Sequence, residues 1–169
     1  MLFTEVDFLD RFELAAKAGF TGIEYWFPYD FNASDLKQRL QDNNLQQVLF
    51  NLPAGNWAAG ERGIACHPNR TAEFRAGVGR AIDYAVKLDC KQCNVLAGIR
   101  PYNVSDQQAF DTFVANLKYA SDAFKQAGIK VQEENSGKNL EIINDNFSRK
   151  ILSLSSAGKV KEYQKFEFP

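Results

Sequence analysis

"NLPAGNWAAGERGIACHPNR", residues 51–70, decides how the chain is read. It follows an apolar run, Gln47 to Asn51, with the look of a buried strand, and it precedes a helix opening near Thr71. Between the two lie three glycines, two prolines, Trp57, Glu61, Arg62, Arg70 and the single His67, with neither a helical nor a strand period. A connection this long inside a compact domain is uncommon and is either functional or disordered. What surrounds it separates the two.

Around it the chain repeats one pattern four times: a helix with an apolar stripe, a turn, then a short apolar strand. Phe8, Phe12, Ala15 and Ala16 line a helix over 7–18 that Gly19 stops, and Ile23 to Trp26 follow as a strand. A helix over 34–42 leads to the strand 47–51, and one opening at Thr71, with Phe74, Val78, Ala81, Ile82, Ala85 and Leu88 in line, leads to 94–97. Ser105 and Gln108 form a capping box for a helix carrying Phe110, Phe113, Val114, Leu117 and Phe124, which Gly128 ends before a strand over 129–134. Helices alternating with nearly continuous apolar strands predict a parallel sheet covered by helices. Ligands of such sheets sit at the C-terminal strand ends, in the βα loops, here 27–33, 52–70 and 98–104. The quoted stretch is the longest of these, so its position predicts a binding loop. The repeat stops near Glu134, and in 135–169 the spacing of Leu140, Ile143, Phe147, Ile151 and Leu154 predicts one more helix in a divergent tail.

At 169 residues, 45% of them hydrophobic, the chain fits one domain with a real core. A net charge of −1 argues against a nucleic-acid surface or a polybasic membrane contact. No apolar run approaches the length of a membrane span, and "MLFTEVDFLDRF" lacks the marks of a signal peptide, so a cytoplasmic protein is expected. Cys90 and Cys93 have the spacing of a metal knuckle, but with Cys66 the total is odd and no second pair follows, so reduced structural thiols are expected.

Candidate chemistry centres on carboxylates at strand ends. Alternation in the last strand turns Glu134 toward the inner face of the sheet, where it would bind metal or move a proton, or else it is a solvated strand-end carboxylate. Glu24 is a second inward candidate, with a surface or salt-bridged role as the alternative. Arg62 and Arg70 either fork onto a small acid's carboxylate or pair with Glu61 and Glu73. Trp57 covers a ligand or anchors the loop, and His67 shows no partner in the sequence.

The loop followed by "EFR", with "GIEYWFPYDF" before it and "NVLAGIRP" after it, resembles the hydroxypyruvate isomerase family of xylose-isomerase-like TIM barrels, from Met1 to about Val131. "AGERG" favours the hydroxypyruvate branch over one acting on oxo-tetronates. The resemblance implies an incomplete (β/α)8 barrel over 1–134, of about four parallel strands with flanking helices. It implies an enediol mechanism converting hydroxypyruvate to tartronate semialdehyde, with Glu134 as base and ligand of a divalent metal, Mg or Mn. Asn51, Trp57, Glu61, Arg62 and Glu24 become the substrate-binding candidates. Asn135 stands where the family has proline, and Gln132 and Glu133 stand at its apolar positions. Strand one and the strands supplying an aspartate, a glutamine or histidine and a second glutamate fall outside the matching part, so weak metal binding and no turnover by this chain are expected. The alternative is a non-catalytic fragment or alternative product that binds small acids or another subunit. Unpaired edges near 23–26 and 129–134 would favour self-association.

Overall fold

The computed structural model describes residues 2–129 and 152–155. After a single 3-10 turn at Phe8–Asp10, the elements are α1 (Arg11–Lys17), β1 (Gly22–Glu24), α2 (Ala33–Asp42), β2 (Gln46–Asn51), α3 (Thr71–Leu88), β3 (Gln92–Val95), α4 (Asp106–Gln126) and β4 (Leu152–Ser155). The four strands lie side by side in chain order; β1, β2 and β3 are parallel, and β4 runs antiparallel to β3. This is an α/β fold with the strand and helix arrangement of an incomplete barrel. No helix among the described residues is long and apolar enough to cross a membrane.

Local chemistry explains most of the boundaries. The Asn32 side chain accepts from Ser34 N–H and opens α2, and Ser105 with Gln108 forms the full capping box that opens α4. The first helix, expected over 7–18, is split, because its opening turn is 3-10. The third strand ends at Val95 rather than Ala97, because Ala97 pairs instead with Gly63 of the long loop. Only Ile129 of the expected strand over 129–134 lies among the described residues. The tail helix also lies mostly outside them. Leu154 does not continue it: Leu152-Ser153-Leu154-Ser155 alternates with the period of a strand and forms β4. The β1 edge has no strand partner among the described residues, whereas the far edge of β3 carries β4.

The core lies between the sheet and the helices. Phe12 and Ala15 of α1, Leu36 and Leu40 of α2, and Phe74, Val78, Ala81, Ala85 and Leu88 of α3 close over Phe50, Cys93 and Val95. In α4 the buried seam is Ala109, Phe113, Asn116 and Ala120, turned partly away from the expected stripe, so that Phe110 and Val114 are exposed. All three cysteines are free and buried, and burial raises the Cys90 thiol to about 11.

The long loop is built into this core. Ile64, Ala65 and Cys66 are buried, Cys66 N–H donates to Ala97 O at 2.8 Å, and the buried Asn116 amide donates to Ala65 O at 2.9 Å. Gly63 and Gly98, at φ +116° and +97°, meet backbone to backbone: a methyl on Gly63 would stand 2.7 Å from Gly98 N and closer still to Leu96 O. Only glycine fits both the conformation and the gap. Gly63→Ala is therefore expected to lower stability by about 2 kcal/mol or more, since the strain falls on backbone that cannot rotate away. Gly79→Ala, in the interior of α3 with open space around it, should raise stability by about 0.5–1 kcal/mol through helix propensity. Urea unfolding of both variants checks the pair.

Candidate active site

Register brings polar groups to one face of the strand ends. Glu24 pairs with Leu49, and Asn51 with Asn94. Leu49 and Asn51, two residues apart, share a face, so Glu24, Asn51 and Asn94 share it too, opposite Phe50 and Cys93 on the helix side. Asn94 Nδ2 donates to Asn51 Oδ1 at 3.0 Å, with both residues buried. Among the described residues Asn94 Oδ1 is sealed from solvent without a donor. Glu24 is exposed and makes no hydrogen bond or ion pair among the described residues, and partial desolvation alone raises its carboxyl above the ordinary range.

Above these strand ends the long loop divides in two. Gly63 N–H donates to Ala54 O at 3.0 Å and closes the neck of an outer lobe, residues 55–62. Inside the lobe Glu61 accepts from Asn56 N–H and from Arg70, whose Nη2 lies 3.2 Å from Glu61 Oε2. Arg70 also forks onto Glu73, at 2.7 Å from both Nε and Nη2. Arg62 instead lies over Trp57, its guanidinium carbon 4.1 Å from the ring centroid. Its Nη1 donates to Trp57 O at 3.1 Å and Glu61 O at 2.7 Å. Trp57 packs on Trp26 and Phe27, with centroids 5.3 and 5.1 Å away, so the lobe rests on the loop that follows β1.

That loop is itself fastened. Tyr29 donates through its hydroxyl to Asn51 O at 2.8 Å, Arg80 of α3 donates to Tyr29 O at 2.7 Å, and Tyr84 donates to Phe31 O at 2.7 Å. His67 bonds Ile99 O at 2.8 Å through Nε2, which must carry the proton because a carbonyl only accepts. It joins the second βα loop to the third.

The sequence candidates thus separate. Trp57 and Arg62 share one platform, and Asn51 and Glu24 share one face of the sheet. Glu61 and Arg70 are committed to each other, and Glu134 lies outside the described residues. Asn94 opens the stretch NVLAGIRP without being singled out, and Asn116 stands in no motif; the one hint was a polar residue inside each apolar run. For a divalent cation the fit is poor, since no three His, Cys, Asp or Glu side chains gather among the described residues and Glu24 supplies one carboxylate where about six oxygens are needed.

Comparison with known proteins agrees with this geometry. The family described as xylose isomerase-like TIM barrel matches residues 12–153. The hydroxypyruvate isomerase of Escherichia coli (strain K12) is 52% identical over 129 residues, covering 76% of this chain and 50% of that protein. The 2-oxo-tetronate isomerase of Pectobacterium atrosepticum is 46% identical over 135 residues, covering 79% of this chain and 51% of that one. Among solved structures, an AP endonuclease, family 2, from Brucella melitensis superposes with a TM-score of 0.72 at 47% identity, covering 76% of this chain and 49% of that one. The chain therefore spans about half the length of the relatives it matches.

The Glu61–Arg70 pair gives the lobe a pH limit. Hydrogen bonds from Arg70, then from Asn56 N–H, hold the Glu61 carboxyl below its ordinary value. A folded pKa below the unfolded one stabilises fully above about pH 4.3, and the contribution is lost as pH falls through the lowered value. Acid titration should therefore release Trp57 from Trp26, read by tryptophan fluorescence, before far-UV circular dichroism changes. In Glu61→Gln that early step should disappear; an unchanged titration would mean the pair does not hold the lobe.

Proposed function

The chain belongs to the xylose isomerase-like TIM barrel family, and from that membership we propose that it supplies the acid-gripping part of an isomerase of small oxo acids. The observation carrying this is Arg62. Stacking on Trp57 and two backbone acceptors fix its plane, while Nε and Nη2, on the opposite edge, are unused among the described residues. A guanidinium held this way is preorganised for a carboxylate, and the aromatic face beneath keeps water from one side of the pair. Arg70, saturated by Glu61 and Glu73, cannot take that role. The names of the relatives favour hydroxypyruvate or a 2-oxo-tetronate as the acid, and the loop's likeness to the hydroxypyruvate branch favours the former.

Aldose–ketose type isomerisation removes a proton from the carbon beside a carbonyl and returns one to its neighbour. In this reading Glu134 is the base. A divalent metal would polarise the substrate oxygens when bound, but the described residues do not fit one, and no step is assigned to it here. The 169 residues by themselves bind the acid weakly and do not turn it over.

Purified chain with hydroxypyruvate and Mg²⁺ or Mn²⁺ tests this. The expected result is no turnover above the uncatalysed rate, with binding that Arg62→Ala weakens about tenfold, the usual worth of a hydrogen bond to a charged group. Robust turnover that Glu134→Gln abolishes would mean that the whole proton-transfer site forms within these residues.

A further inference from the structure

Arg62 accounts for the acid end of a substrate; the inner face of the sheet presents different chemistry. We propose that Glu24 and Asn51 recognise the α-hydroxy-carbonyl end of the molecule, with Asn94 as the residue that positions Asn51. The proposal rests on the reading of the chain as a binder of small oxo acids, and it concerns the part of the ligand that Arg62 does not touch.

Three features of the strand ends carry it. Glu24, an acceptor only, has no partner among the described residues although no structural bond explains its place on the inner face. Asn51 commits its Oδ1 to Asn94, and its Nδ2, a donor, makes no hydrogen bond among the described residues. Register pairs Glu24 with Leu49, two residues before Asn51 on the neighbouring strand and on the same face, after an irregularity between Ile23 and Glu24 that advances Glu24 toward the strand end. An α-hydroxy carbonyl presents one hydroxyl donor and one carbonyl acceptor on adjacent carbons. The hydroxyl donates to Glu24, and the carbonyl accepts from Asn51.

Asn94 fixes the polarity of this arrangement. Its Nδ2 holds the Asn51 carbonyl, so the Asn51 amide cannot rotate to present oxygen to the ligand. The Asn94 Oδ1 is buried without a donor among the described residues. Partial desolvation of Glu24 agrees with a carboxylate awaiting a donor.

The test compares hydroxypyruvate with pyruvate, which keeps the carboxylate and carbonyl and lacks the hydroxyl. Affinities are read by tryptophan fluorescence on the full chain. Hydroxypyruvate should bind about tenfold tighter than pyruvate, as one charge-assisted hydrogen bond predicts. Glu24→Leu should bring it to the pyruvate level and leave pyruvate unchanged. Asn94→Ala should weaken both acids alike, because both keep the carbonyl that accepts from Asn51, and should leave acetate, which keeps only the carboxylate, unchanged; loss of a purely structural asparagine would weaken all three. Arg62→Ala should weaken both acids equally and so reads the acid-binding reading separately. Equal affinity for the two acids, or a ratio that Glu24→Leu does not move, overturns the proposal. Binding of neither acid overturns it together with the reading beneath it.

Discussion

The approach of Gly63 to Gly98 is the constraint on which the binding face depends. Two backbones meet there with no room for a methyl group, and that contact lets the arm 63–67 lie along the end of β3. Once the arm is in place, Cys66 can bond Ala97, Asn116 can reach Ala65, and His67 can hold Ile99. The first two satisfy polar groups that burial would otherwise leave unpaired, and the third ties the arm to the exposed loop after β3. The second loop is therefore as ordered as a strand along half its length, which is how a segment without regular structure can set side chains in fixed positions.

Charge is distributed over the loop in two different ways. Arg70 lies between two carboxylates and holds the loop together. Arg62, eight residues earlier, has an aromatic face and two carbonyls for company, groups that orient a cation without neutralising it. A cation so placed keeps its attraction for an anion from solution. The loop thus separates the task of holding itself from the task of holding something else.

Much of this was legible in the sequence because it is local. Apolar spacing placed α3 from its opening at Thr71 through the stripe to Leu88, the Ser105–Gln108 box marked the start of α4, and alternation of helices and strands set the parallel sheet and the face on which the long loop lies. What escaped is non-local. Gly63 and Gly98 are ordinary loop glycines until their backbones meet, and Ala97 leaves the third strand only because Gly63 takes it. Asn51 and Asn94 interrupt two apolar runs, and only register reveals that they touch. The two arginines of the loop are indistinguishable in sequence, since their roles depend on which carboxylates the fold brings within reach. In α4 Phe113 is buried and Leu117 and Phe124 pack against the core as expected, whereas Phe110 and Val114 are exposed because small residues, Ala109 and Ala120, and Asn116 complete the buried seam.

The closed neck at Ala54 and Gly63 bears on how such a protein can change over evolutionary time. Residues 55–62 leave and rejoin the fold at almost the same point, as in an Ω-loop. Substitutions, or even changes of length, within that lobe need not disturb the arm, the sheet or the helices, because no part of the core passes through it. The chemistry that the lobe offers to its surroundings can then drift by exchanging a handful of residues, while the glycine contact beneath stays under purifying selection for reasons of folding alone.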